Sequence, residues 1–524
     1  MISNVNAETL SAWLADGREI ALVDVRELGQ FSNGHLFFAC NLPYSRLEID
    51  VFRLIPRMST RVVLCADVQS KVDVAAAVSL RELGYTDVWI LTDGVSGWVA
   101  AGYKLFGGVN VPSKTFGEIV EQRHHTPQIS ARQLFELQLA GDNLVILDGR
   151  PFDEYQQMNI PGASCCPNGE LAYRIRKIVP DPATKIVVNC AGRTRSLIGA
   201  QTLINIGVPN PVYALENGTQ GWFLEDLPLN YNGNQGYPEL PGDFDIAASR
   251  AAAQALAAKY SVPTVDAKEV DRWLAEPDRT LFLFDVRTEA EFRAGSLQGA
   301  RHAPGGQLVQ AADEFIGVRH ARVVLLDSDG VRAPTTASWM KQMGWDVSVL
   351  REGIDADLDC AATAKAVLPA FPVLQARELA RGLTCGDAVA YDLRSSTAYR
   401  ALHAAGSRWS IRPLLLEMPQ TDRCVVLIAD EPEVAALAAC DLERKGVADV
   451  RILSGGFEAW IEQALPTEST PEDPPYEQRI DYLFFEHQLQ ECKDAAQRYL
   501  SWEIGLVSQL NETERKTFAL SPGH

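Results

Sequence analysis

The hydrophobic pattern of the chain alternates between two periods. Short runs that are apolar at every position, such as Leu144-Val145-Ile146, Ile186-Val187-Val188 and Val212-Tyr213-Ala214, alternate with stretches of helical spacing such as Ser196 to Ile206. Apolar runs rich in β-branched residues predict strands covered on both faces, hence parallel strands. The strand–helix–strand order predicts a doubly wound α/β sheet. In such sheets, sites form just beyond the carboxyl ends of the strands.

This pattern occurs four times. An apolar run ends in Asp-x-Arg at Asp24-Val25-Arg26, Asp148-Gly149-Arg150, Asp285-Val286-Arg287 and Asp392-Leu393-Arg394. Fourteen residues after each Asp stand Phe38, Gly162, Gly299 and Gly406. A second run follows: Val62-Val63-Leu64, Ile186-Val187-Val188, Val323-Val324-Leu325 and Val425-Val426-Leu427. Next comes an amphipathic stretch closed by Gly84, Gly207, Gly344 or Gly446. Each copy ends on a third run and a Gly-rich turn, with a Trp four residues after the Gly in three copies (Trp98, Trp222 and Trp460) and Asp357 in the other. A unit of about 100 residues suits one compact domain. Between copies two and three, Asn230 to Asp243 reads as a linker and Ile246 to Lys259 as a helix. Beyond copy four, Glu477 to Leu510 reads as helical, with Ile480, Leu483, Phe484, Leu489, Tyr499 and Leu500 as its apolar positions. This tail is expected to pack on its own chain; a homodimer contact is the alternative use.

Composition narrows the function. With 524 residues, 47% of them hydrophobic, and a net charge of −20, the chain has the make-up of a globular protein. It is too acidic for general nucleic-acid or anionic-membrane binding. No apolar run reaches membrane-span length, and Met1-Ile2-Ser3-Asn4 does not open a secretory signal. The ten cysteines include no C-x-x-C pair, which points to reduced thiols in a cytoplasm.

One loop differs from its counterparts. In copy two the second strand ends in Cys190-Ala191-Gly192-Arg193-Thr194-Arg195-Ser196, with a helix expected to start at Ser196 as N-cap. A positive φ at Gly192 would let successive N–H groups converge on one spot. The helix dipole and the charges of Arg193 and Arg195 would face the same spot. Such a ring holds an anion, and it should depress the Cys190 pKa to roughly 6–7, making the thiolate a nucleophile. Counting back 17 residues from the closing Gly reaches Asp67, Asp327 and Ala429 in the other copies. Cys65 matches Ile428 and is expected inside a strand, and Cys165-Cys166 are expected as buried strand residues. The Asp-x-Arg pairs, present in all four copies, are expected to be structural.

These marks together make the chain resemble the rhodanese family: the Asp-x-Arg strand end, Pro161-Gly162-Ala163, the strand-end Cys loop and the Gly-x-x-x-Trp close. The resemblance implies an α/β fold of four tandem rhodanese-like doubly wound parallel-sheet domains plus a C-terminal helical extension. The modules would span 1–106, 124–230, 262–362 and 370–466, with a helical linker at 231–261 and a tail at 467–524. It implies a sulfurtransferase that carries sulfane sulfur as a persulfide on Cys190, in a cradle formed by Ala191 to Ser196, with the other three modules inactive. The donor would be thiosulfate or a related small anion and the acceptor cyanide or a thiol. No metal or organic cofactor is required. The family also implies that an inactive module pairs with the active one that follows it, here one with two. The loop itself departs from both familiar forms. Ala191 stands where a thiosulfate-using loop has Arg, and the loop is neither Gly-led nor Arg-poor as in mercaptopyruvate users. Two other readings stay open: a Cys-loop phosphatase or arsenate reductase, and a non-catalytic scaffold or persulfide and redox sensor built on Cys190.

Overall fold

The computed structural model describes residues 2–519 with the exception of 69, 243, 359, 361–363, 420 and 484–491. It contains four five-stranded sheets of identical order. Numbered along each module, the strands run 1-5-4-2-3, and every pairing within them is parallel. In module two these are Gln128–Ile129, Leu144–Asp148, Ala163–Cys165, Lys185–Asn189 and Val212–Leu215. The central strand Lys185–Asn189 is buried from Ile186 onward, because helices cover both faces of the sheet.

The repeated sequence marks have local structural jobs. Each Arg of Asp-x-Arg folds back on its own Asp and reaches the carbonyl eight residues on: Arg26 to Gly34, Arg150 to Met158, Arg287 to Gly295, Arg394 to Leu402. Each closing Trp is buried and donates its indole N–H to the carbonyl six residues on. Both devices recur irrespective of the Cys loop, so they serve the fold.

The chain forms two compact units. Residues 1–14, 20–109 and 363–484 make one, and residues 15–19, 110–362 and 485–524 the other. Modules one and four therefore share a unit, and module two shares its unit with module three, against the expected pairing of one with two. In the first unit, fully buried Arg412 bonds Glu48 of module one and Asp441 of module four and lies over the Tyr44 ring. In the second, fully buried Arg332 of module three bonds Glu170 of module two, together with Asp329 and Glu291. A Cβ on Gly169 would lie 2.8 Å from the Gly306 nitrogen, so the two backbones meet where side chains would not fit. The linker helix Ala247–Lys259 closes the core of module two with Ala253 and Leu256.

The tail differs from the single helix expected over 477–510. Tyr476–Gln478 is a short turn, and the helix runs over Lys493–Gln509, followed by Glu512–Lys516. Around Ile480 the backbone bonds outward: its carbonyl accepts from Gly29, and the Asp481 carboxylate accepts from the Ser396 N–H. Phe484 and Leu489 lie outside the described residues. Helix Lys493–Gln509 buries Tyr499, Leu500 and Leu506 and packs on helices Val111–His124 and Gly218–Leu224 of its own unit. Among the described residues no helix is long and apolar enough to cross a membrane.

Candidate active site

Cys190 is the first residue past the central strand of module two. Its neighbour Asn189 donates to the Asp148 carboxylate, which ties the Asp148–Arg150 pair to the base of the loop. From the other side, Thr219 and Gln220 donate their backbone N–H groups to the carbonyls of Cys190 and Ala191. Gly218 makes this closure feasible. Its φ is +53°, and a Cβ there would stand 2.4 Å from the Cys190 carbonyl oxygen.

The loop turns directly into helix Thr194–Asn205, two residues earlier than the expected start at Ser196. Ser196 is therefore not the N-cap but sits in the first turn. Its Oγ is 3.0 Å from Cys190 Sγ and 3.2 Å from the Arg193 carbonyl, and its backbone N–H also faces the sulfur. The hydroxyl can accept from the thiol while donating to that carbonyl, then turn to donate to a thiolate. Gly192 is not in the left-handed region, nor is any other residue from 190 to 196. The early start of the helix already brings its free N–H groups round to the sulfur.

The arginines also differ from expectation. Arg193 is held by both Glu118 oxygens, at 2.7 and 3.0 Å, and by Asn217. Arg195 makes a two-pronged pair with Glu154 at 2.7 and 2.8 Å. Neither guanidinium is an uncommitted charge, though Arg195 still acts on the sulfur. Burial pushes the Cys190 thiol above its ordinary value; the charge of Arg195 and the Ser196 hydrogen bonds pull it down, and Glu503 adds to the rise. The shift runs opposite to the expected depression to roughly 6–7, because Cys190 is only 2% exposed and desolvation outweighs the collar. The sign is testable. Since the neutral thiol dominates in this closed form, iodoacetamide labelling of Cys190 should climb about tenfold per pH unit up to and beyond the ordinary 9.0. A plateau near neutrality in peptide-resolved mass spectrometry would contradict it.

The C-terminal helix packs against Gly192 of the loop. A Cβ on Gly192 would meet Tyr499 at 3.0 Å and Glu503 at 3.1 Å. Thr194 Oγ1 donates to Glu503 Oε1 at 2.7 Å, and Lys114 lies over the Tyr499 and Trp502 rings. Ala191 contributes its carbonyl to the loop closure and no side-chain chemistry.

Strand register identifies the counterparts of Cys190. Asp148 pairs with Asn189, Asp24 with Cys65, Asp285 with Leu326 and Asp392 with Ile428, so the next residues are Cys190, Ala66, Asp327 and Ala429. The count from the closing Gly that reached Asp67 is thus one residue off in module one, whose connection is one residue longer. Cys65 is the last residue of its strand Val62–Cys65, buried, with Sγ on the Val23 carbonyl. Cys165 ends a strand and Cys166 follows it; both are buried, and burial pushes both thiols up, Cys165 to about 12. In module three the matching loop holds an anion of its own. The Asp327 carboxylate accepts from the N–H groups of Gly330 and Ala333, each at 2.8 Å, and Ala333 stands in the place of Ser196. Arg332 and Glu291 there repeat the pairing of Arg195 and Glu154.

Glu154 could have been found from the sequence. It lies six residues after the Asp of Asp-x-Arg, as Glu291 does, in the two copies that carry Arg five residues past the Cys position. Glu118, Lys114 and Glu503 lie outside the repeat and leave no such signal.

A family model described as Rhodanese-like domain matches residues 6–101, 131–225, 266–359 and 375–463, together more than half of the chain. Over its whole length the chain is similar to a thiosulfate sulfurtransferase of known structure from Pseudomonas aeruginosa. The two are 39% identical, with a TM-score of 0.91 over 99% of each chain. Among curated proteins, the HTH-type transcriptional regulator Rv0324 of Mycobacterium tuberculosis is 31% identical over 115 residues, 22% of this chain and 48% of the regulator. The chain thus spans about half the length of that relative.

Proposed function

The chain belongs to the rhodanese family, and from that premise we propose that it transfers sulfane sulfur from thiosulfate or a related donor to cyanide or a thiol through a Cys190 persulfide. The observation that carries this reading is the loop of module three. There the same backbone, in the same register, grips a carboxylate with its N–H groups. Cys190 stands where that carboxylate does, so a persulfide on it would meet the corresponding N–H groups.

The reaction has two halves. The Cys190 thiolate attacks the outer sulfur of thiosulfate, the S–S bond breaks, and sulfite leaves with the electron pair. This leaves Cys190–S–S⁻. Cyanide or an acceptor thiolate then attacks the terminal sulfur and restores the thiolate, which gives ping-pong kinetics. Arg195 and Ser196 stabilise the charge on sulfur in both halves. No proton needs a dedicated base once the thiolate exists, because the Ser196 hydroxyl only reorients. Donor entry requires the Tyr499 and Glu503 side chains over Gly192 to yield.

Intact-mass spectrometry after incubation with thiosulfate tests the proposal. A gain of one sulfur, about 32 Da, on the peptide that contains Cys190 and its loss on adding cyanide are the expected results. Absence of the adduct with every sulfane donor tried would sink it.

A further inference from the structure

The C-terminal helix docks on the Cys190 loop of module two and brings a carboxylate with it. Glu503 is 1% exposed. Its Oε1 accepts from Thr194, but Oε2 is buried against Gly192 with no hydrogen-bond partner among the described residues. A buried carboxylate oxygen without a donor is costly, and such an atom beside a reactive group marks a place where a ligand completes the bonding. The surrounding charges already cancel. Lys114, Arg193 and Arg195 face Glu118, Glu154 and Glu503, and both arginines are fully engaged by carboxylates. A small dianion brought to this loop meets two carboxylate-paired arginines, a lysine held over the Tyr499 and Trp502 rings, and one carboxylate oxygen that has no donor among the described residues.

We propose that Glu503 determines donor specificity, turning the Cys190 site away from dianionic thiosulfate and toward hydropersulfides whose ammonium or N–H group bonds Glu503 Oε2. This rests on the reading of Cys190 as the sulfur carrier and names its donor class. In the step so defined, the Cys190 thiolate attacks the outer sulfur of R–S–SH. The donor S–S bond breaks, R–S⁻ leaves with the pair, and Cys190–S–SH forms, with charge balanced at one negative on each side. Glu503 also disfavours the thiolate by its charge, so a cationic donor group that neutralises it assists ionisation as it binds.

The full chain is compared with its Glu503→Gln variant, using thiosulfate and cysteine hydropersulfide as donors and cyanide as acceptor. Gln keeps an acceptor for Thr194 and removes the charge. The wild type should show the higher kcat/KM with cysteine hydropersulfide. The substitution should raise kcat/KM for thiosulfate about tenfold, chiefly through KM, and lower it for the hydropersulfide by a similar factor. Parallel changes with both donors, or none, would mean that Glu503 only holds the helix, and the inference falls. A wild type that prefers thiosulfate overturns it without any variant. If neither donor places sulfur on Cys190, the carrier reading itself fails. If both do and the two donors respond alike to the substitution, only the specificity claim fails.

Discussion

Cys190→Ser is expected to lower sulfur transfer by ~10³-fold or more while the protein stays folded. A serine hydroxyl ionises far less readily than a thiol, and the neighbour of Sγ is another hydroxyl, Ser196, which is no base. An oxygen at this place also has no route to a persulfide. The replacement is smaller by little, sits at a loop and leaves the Cys190 and Ala191 carbonyls in their bonds to Thr219 and Gln220, so stability should change little. Cys65→Ser and Cys165→Ser are the controls. Both sulfurs are bonded to carbonyls of neighbouring strand ends and are expected to leave turnover unchanged. The measurement is thiocyanate formed from thiosulfate and cyanide. Retention of a tenth or more of wild-type turnover in Cys190→Ser would falsify the assignment of the nucleophile.

Arg332→Ala is expected to cost ~3–5 kcal/mol of stability. The guanidinium is fully buried and bonds Glu170, Glu291 and Asp329, lying over Tyr173 as well. Its removal takes the ion-pair partner from Glu291 and Asp329 and leaves Glu170 with Arg174 alone. Burial alone would push Glu291 up, but the hydrogen bonds and charge of Arg332 outweigh it and hold the group at about 2, against an ordinary 4.5. A carboxylate depressed in the folded state adds stability above its unfolded value, and that stability is lost as pH falls through the folded one. The gap between wild type and variant should therefore narrow between pH 4.5 and about 2. Urea unfolding at a series of pH values reads both effects. A loss under ~1 kcal/mol at neutral pH would mean that the buried cluster is not what joins modules two and three.

Much of this architecture could be read from the residues. Runs such as Ile186-Val187-Val188 became central strands because nothing but a two-faced parallel sheet buries every position. The Asp-x-Arg residues form the same ion pair in all four modules, with or without the Cys loop. The Cys loop itself stands at the strand end where chemistry was expected. What could not be read depends on residues distant in the chain. The direction of the Cys190 shift turned on burial, with a further rise from the charge of Glu503, some three hundred positions later. The commitments of Arg193 and Arg195 turned on Glu118 and Glu154. The helix start at Thr194 instead of Ser196 followed from a loop that needs no left-handed residue, which composition alone does not reveal. In module one a single extra residue shifted the count to Asp67, an error that only strand register corrects.

The carboxylate of Asp327 has a consequence for stoichiometry. Modules two and three share a loop of one length with Arg at its fifth step, and module three arrives already saturated by its own side chain. In module two the corresponding Ser196 N–H faces a sulfur, whereas in module three the Gly330 and Ala333 N–H groups are already held by a carboxylate. The receptacle is present twice, and one copy is filled by a side chain of its own.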